Sequence, residues 1–207
     1  MGFDLHGLNP KRNTAKPEIL TEYKTEEGWT DFVKLEEQGL KDKYFKEDNK
    51  WEDENPGHYF RNNVWWWRPL WVYVCSSCED ILTEKDMTKG SYNDGHKISK
   101  TKSLKIAARL RARINSGDVF DYYNKYQKEY NEANEHNKKI EDLVSALRER
   151  VKEQHGDIVP ANYPEPHRTD WDNLQAQKNW EANYPFDIDN VKEFAEFCEQ
   201  SGGFEIC

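Results

Sequence analysis

VFDYYNKYQKEYNEANEHNKKIEDLVSALRERV, residues 119–151, is the stretch from which the fold is read. Along it Val119, Tyr123, Tyr126, Tyr130, Ala133, Asn137, Ile140, Val144, Leu147 and Val151 recur at alternating intervals of four and three. That period keeps a narrow, mostly apolar seam on one side of a continuous helix. About 33 residues at 1.5 Å each extend about 49 Å, and a rod of that length needs something to cover its seam. Two coverings fit: the rest of the same domain, or the same helix of a second copy. Asn137, the one strongly polar seam position, sets the register in either case.

Upstream, Leu104, Ala107, Ala108, Arg111 and Ile114 share one side of a helix that Ser116-Gly117 stops. With Asp118 as the next N-cap, the region 101–153 reads as a helical hairpin. In YFRNNVWWWRPLW, residues 59–71, Pro69 fits the first turn of a helix over about 69–77, with the Trp run before it extended or in a separate turn. Residues 11–55 hold 22 charged residues and read as a surface insertion carrying one amphipathic helix over about 30–47. Downstream, prolines 160, 164, 166 and 185 mark an irregular connection pinned by Trp171 and Trp180, with room for a short helix near 170–182. Val191, Phe194, Ala195 and Cys198 predict a last helix over 187–201, ended by Gly202-Gly203. Both Phe3-Asp4-Leu5-His6 and Phe204-Glu205-Ile206-Cys207 alternate with period two, so the ends are expected to pair as two short strands. The expected fold is mainly α with a minor β element, one compact domain over residues 1–207.

Composition narrows the function. Eight Trp and 14% aromatic residues supply a core despite a mean hydropathy of −1.10. Thirty basic against 39 acidic residues, a net charge of −9, argue against nucleic acid as the partner. The most apolar stretch, 64–75, is interrupted by Arg68 and Pro69 and is shorter than the roughly 20 residues of a membrane span. The first six residues show no basic or apolar leader, and His6 stands where a myristoylation signal calls for Ser or Thr, so a cytoplasmic location is expected. There the four cysteines stay reduced.

Three groups of residues could carry chemistry. Arg61, Asn62, Asn63 and Arg68 surround the Trp run with Trp67, and guanidinium groups beside indoles suit an anionic ring-bearing ligand; the same residues equally suit helix caps around a core. Lys102, Lys105, Arg109 and Arg113 share one helix face in a stretch, 97–113, that has seven basic residues and no acid. Such a face attracts phosphates, or is a solvated counterweight to the acids elsewhere. Asn93-Asp94-Gly95-His96 is a turn whose Asp94 and His96 would be the acid and base of a small hydrolase, with no nucleophile to go with them. Cys75-Ser-Ser-Cys78 with Cys198 and Cys207 offers four thiolates for zinc, although a second CxxC is missing and buried packing explains the cysteines as well. No cofactor motif is present: there is no phosphate-binding glycine loop, HExxH or GxSxG with partners.

MGFDLHGLNP at 1–10, YFRNNVWWWRPLW at 59–71, Asn93-Asp94-Gly95, Asn190-Val191-Lys192-Glu193-Phe194 and the closing SGGFEI at 201–206 together resemble a family of small tailed-phage and prophage proteins. They cover about a quarter of the chain. The resemblance implies an accessory role during infection, in the host cytoplasm, and no particular chemistry. The charged insertion and the long heptad helix depart from shorter relatives, and the further Cys pairs of those relatives are missing, so no metal site carries over. The expectation is a noncatalytic protein that binds a host protein or a small anionic, nucleotide-like ligand. The alternatives are an assembly protein dimerising through 119–151 and a hydrolase using Asp94 and His96.

Overall fold

A computed structural model describes residues 2–207. The protein is mainly α, and its ends do pair. β1 (Gly2–Gly7) runs antiparallel to β4 (Gly203–Ile206), with Leu5 opposite Ile206. The sheet has two further strands that the alternation rule did not find, β2 (Tyr59–Asn63) and β3 (His96–Ser99), in the order β2-β1-β4-β3. The inward positions of β2 are Phe60 and the polar Asn62, and β3 has one apolar residue, Ile98, so neither shows an alternation of apolar side chains. Phe3, Leu5, Phe60, Ile98, Phe204 and Ile206 alternate onto one buried face. The other face is polar, with Arg61 3.6 Å from Asp4 and Lys97 3.7 Å from Glu205 across neighbouring strands.

Two compact units divide the chain: the residues up to 119 with 187–207, and residues 120–186. In the first, the buried sheet face meets α4 (Val64–Ser77) and α9 (Ile188–Gln200), while α6 (Lys100–Ser116) lies along α9. Trp67 stacks between Phe3 and Trp71, with ring centroids at 5.4 and 5.2 Å, and meets Phe194 edge-on. The inner face of α6 is Ser103, Ile106, Ala107 and Leu110, rotated from the expected one, so that Leu104 is exposed. The rotation follows from Ser103, whose hydroxyl donates to the Cys198 carbonyl at 2.6 Å and so turns toward α9.

The segment 11–55 is more than a surface cover. Its α1 (Ile19–Glu22), α2 (Phe32–Glu37) and α3 (Lys41–Glu54) enclose a small core of Leu20, Tyr23, Leu35, Tyr44 and Trp51. The single helix expected over 30–47 is two, because Gly39 turns the chain at φ +67°, a conformation other residues adopt only with strain. The helix expected at 69–77 begins at Val64 instead. Asn63 caps it by accepting from the amides of Trp65 and Trp66, and Pro69 lies inside the helix. A short α5 (Glu84–Lys89) follows, started by a Thr83/Asp86 capping box.

Gly117, with φ +88°, joins α6 to α7 (Asp118–His155). In the second unit the seam of α7 is covered by the chain's own residues 158–186. Leu147 and Val151 bury against Tyr163, with Ile158, Trp171 and Leu174 around them. Tyr126 donates to the Tyr184 carbonyl at 2.6 Å, and Phe186 packs on Tyr122 and Tyr126. The Asn137 amide donates to the Asn179 carbonyl and its oxygen accepts from the Asn179 amide, both at 2.8 Å. Val144 has no exposed surface. The seam is therefore occupied, which corrects the reading of it as a dimer contact. The expected helix near 170–182 is α8 (His167–Ala176) followed by a 3-10 turn at Trp180–Asn183.

Candidate functional site

Two indole donors define the neighbourhood of the site. Trp67 Nε1 donates to the Gly90 carbonyl at 2.9 Å, and Trp71 Nε1 to the Met87 carbonyl at 3.0 Å. These bonds hang the end of α5 and the following turn on the buried side of α4. The opposite edge of α4 remains open, and between it and that turn lies a groove of about 290 Å³ lined by Trp67, Arg68, Trp71, Val72, Ser91 and Tyr92. Arg68 is the only charged residue of the six. Val72 and Tyr92 are largely exposed, whereas Trp67 and Trp71 are buried.

The other residues singled out from the sequence are mostly accounted for by the fold. Trp67 lines the groove but is itself buried in the core, stacked between Phe3 and Trp71. Asn62 is buried and donates to Asn190 Oδ1 at 2.8 Å, tying β2 to α9, and Asn63 is a helix cap. Arg61 is exposed on the open sheet face beside Asp4. Asn93 donates to the Gly2 carbonyl at 3.2 Å. Arg109 forms a two-pronged pair with Asp80, at 2.9 and 2.8 Å, and also donates to the Ser77 carbonyl at the end of α4. Of the basic face, Lys102 pairs with Asp86 and Arg113 lies 3.9 Å from Asp118, while Lys105 is exposed one turn from Arg109. That face is a set of ties to the protein's own acids more than a phosphate track.

Asp94 and His96 are not an acid and base pair. Asp94 binds Lys89 at 2.6 Å, and His96 Nε2 lies 3.0 Å from Asp86 Oδ1. Asp86 is the polar centre that sequence reasoning missed. It is 5% exposed, and its Oδ2 accepts from Lys102 and from the amide and hydroxyl of Thr83. Burial alone would raise its pKa; the donors from Lys102, Thr83 and His96 outweigh burial and hold the carboxyl well below the usual range. Through His96 and Lys102 the carboxylate ties α5 to β3 and α6. The Thr83-x-x-Asp86 spacing was the available signal, since it marks a capping box.

The four cysteines do not assemble. Cys78 and Cys198 are buried, Cys75 is half-buried and Cys207 is exposed at the far end of β4. Burial raises the Cys75 thiol to about 12 and the Cys78 thiol to about 11. Among the described residues no three His, Cys, Asp or Glu side chains are placed to hold a metal ion, which corrects the four-thiolate zinc reading. Among the described residues no helix is long and apolar enough to cross a membrane. The chain matches no protein-family model, no curated protein and no solved structure.

Proposed function

We propose that this is a noncatalytic accessory protein of a tailed phage, acting in the host cytoplasm by binding a small anionic, ring-bearing ligand of nucleotide type. The observation that supports this reading is the pairing of Arg68 with the exposed Tyr92 ring across one groove of about 290 Å³. A guanidinium there would meet a phosphate or carboxylate while the phenol ring stacks on a base. The volume is near the lower end of small-ligand sites, which favours a mononucleotide over a longer chain. The phage context rests on the sequence resemblance, and the net charge of −9 disfavours polymeric nucleic acid.

Calorimetry and thermal unfolding with nucleoside mono-, di- and triphosphates and inorganic phosphate test it. A ligand at 100 times its Kd should add about 2.7 kcal/mol of stability. Arg68→Gln should weaken binding at least tenfold and Arg61→Gln should leave it unchanged. No binding by any of the panel at millimolar concentration would end this reading.

A further inference from the structure

β2 is an edge strand, and its outer side is open. In an antiparallel ladder, each residue directs its N–H and C=O to the same side, and neighbours alternate. The Gly7 amide donates to the His58 carbonyl at 3.0 Å, so residues 58, 60 and 62 face β1. The exchange of two 2.8 Å bonds between Asp4 and Cys207 agrees, since it turns the even residues of β1 toward β4 and the odd ones toward β2. Tyr59 and Arg61 therefore direct their backbone donors and acceptors away from the sheet. At the opposite edge, β3 is flanked by α5.

Alongside β2 runs an open cleft of about 490 Å³, with Glu52 and Asp53 from the last turn of α3 and Glu193 and Glu196 from α9 beside Tyr59 and Arg61. Among the described residues none of these four carboxylates is in an ion pair. The Arg61 guanidinium is turned to Asp4 on the polar sheet face. Burial, then Asp48, raises the Glu52 pKa despite Lys16 nearby; burial, then Asp187, Asp189 and Glu196, raises that of Glu193. Four carboxylates against the one guanidinium of Arg61 leave the cleft lining net negative.

We propose that the β2 edge is a docking site for an extended, basic segment of a partner protein, added to the sheet as a fifth strand. Its backbone would pair with Tyr59 and Arg61, and alternate Lys or Arg side chains would reach Glu193 and Glu196. Charge selects this occupant. A second copy of the chain would bring the same acidic walls together, and an acidic peptide would be repelled. The inference is independent of the Arg68 groove, which adjoins the other edge of α4.

Fluorescence anisotropy with the full chain tests it, using a labelled peptide of alternating Lys and Thr at low salt. Binding is expected, and it should weaken at least tenfold for three changes: a peptide N-methylated along one edge, the double variant Glu193→Gln/Glu196→Gln, and Arg61→Pro measured against Arg61→Gln, which loses the same guanidinium but keeps the outward N–H. Arg68→Gln should bind the peptide normally. The N-methylated peptide reads out strand pairing on the wild-type protein, so the test stands even if Arg61→Pro misfolds. Equal binding of the N-methylated peptide would overturn the proposal, showing a charge cleft without strand addition. Absence of binding would overturn it too, leaving the charges as guards against edge pairing. Self-association lost in Arg61→Pro would assign the edge to a second copy instead.

Discussion

Gly90 lies flat against the indole of Trp71: a Cβ placed on it would come within 2.1 Å of Cζ2 and 2.2 Å of Cε2. Its φ of −65° is open to any residue. In the absence of the ring, Gly90→Ala would stabilise the protein through the unfolded chain. With the ring in place it should destabilise by about 1–3 kcal/mol through overpacking. Thermal unfolding checks the sign, and a double-mutant cycle with Trp71→Phe should show recovery from coupling between the two positions.

Asp86 should make stability fall in acid. Its folded pKa is depressed, so its contribution is complete above the unfolded value of about 3.9 and is lost as the pH drops below that. Asp86→Asn should cost about 3–5 kcal/mol at pH 7, as expected when one partner of a buried charged cluster is removed. Denaturant unfolding from pH 7 to 2 should show a constant gap between wild type and variant above pH 5 that narrows below pH 4.

Thiol reactivity should separate the cysteines. Burial raises the thiols of Cys75, Cys78 and Cys198, and Cys198 is fully enclosed. Cys207 is exposed, though burial and the charges of Glu205 and Asp4 raise its thiol as well. A thiol reagent at pH 8 should therefore label Cys207 first in the native protein and all four in denaturant. Peptide mapping that finds Cys75 or Cys78 labelled as fast as Cys207 would contradict this.

Asn137 and Asn179 should unzip together. Asn137→Ala removes both 2.8 Å bonds to the Asn179 backbone and should cost about 1–3 kcal/mol. Hydrogen exchange should show the Asn179 amide losing protection while amides near Tyr163 and Trp171 change little.

Helix periodicity was the legible part of this chain. The seam of 119–151, the last helix and the stop at Gly117 repeat within a few residues, and a helix exposes such a period whatever surrounds it. The alternating ends were legible for the same reason. What the period could not say was who covers the seam: residues 158–186 do so with prolines, single aromatics and Asn179, none of which forms a pattern of its own. The site was less legible still. Asn63 has the same donors and acceptors as a cap or as a ligand contact, and only the position of the Trp65 and Trp66 amides decides between them.

Local chemistry thus specified the helices, the polar surface and the aromatic inventory, because backbone geometry and hydrophobic period act over neighbouring residues. Tertiary structure alone decided that His96 answers Asp86 and not Asp94, that Asn62 reaches Asn190 across 128 positions, and that Trp67 is core while Arg68 faces a groove. A hydrogen bond between distant segments depends on where packing places both partners, and burial turns the same indole from a binding surface into a wall.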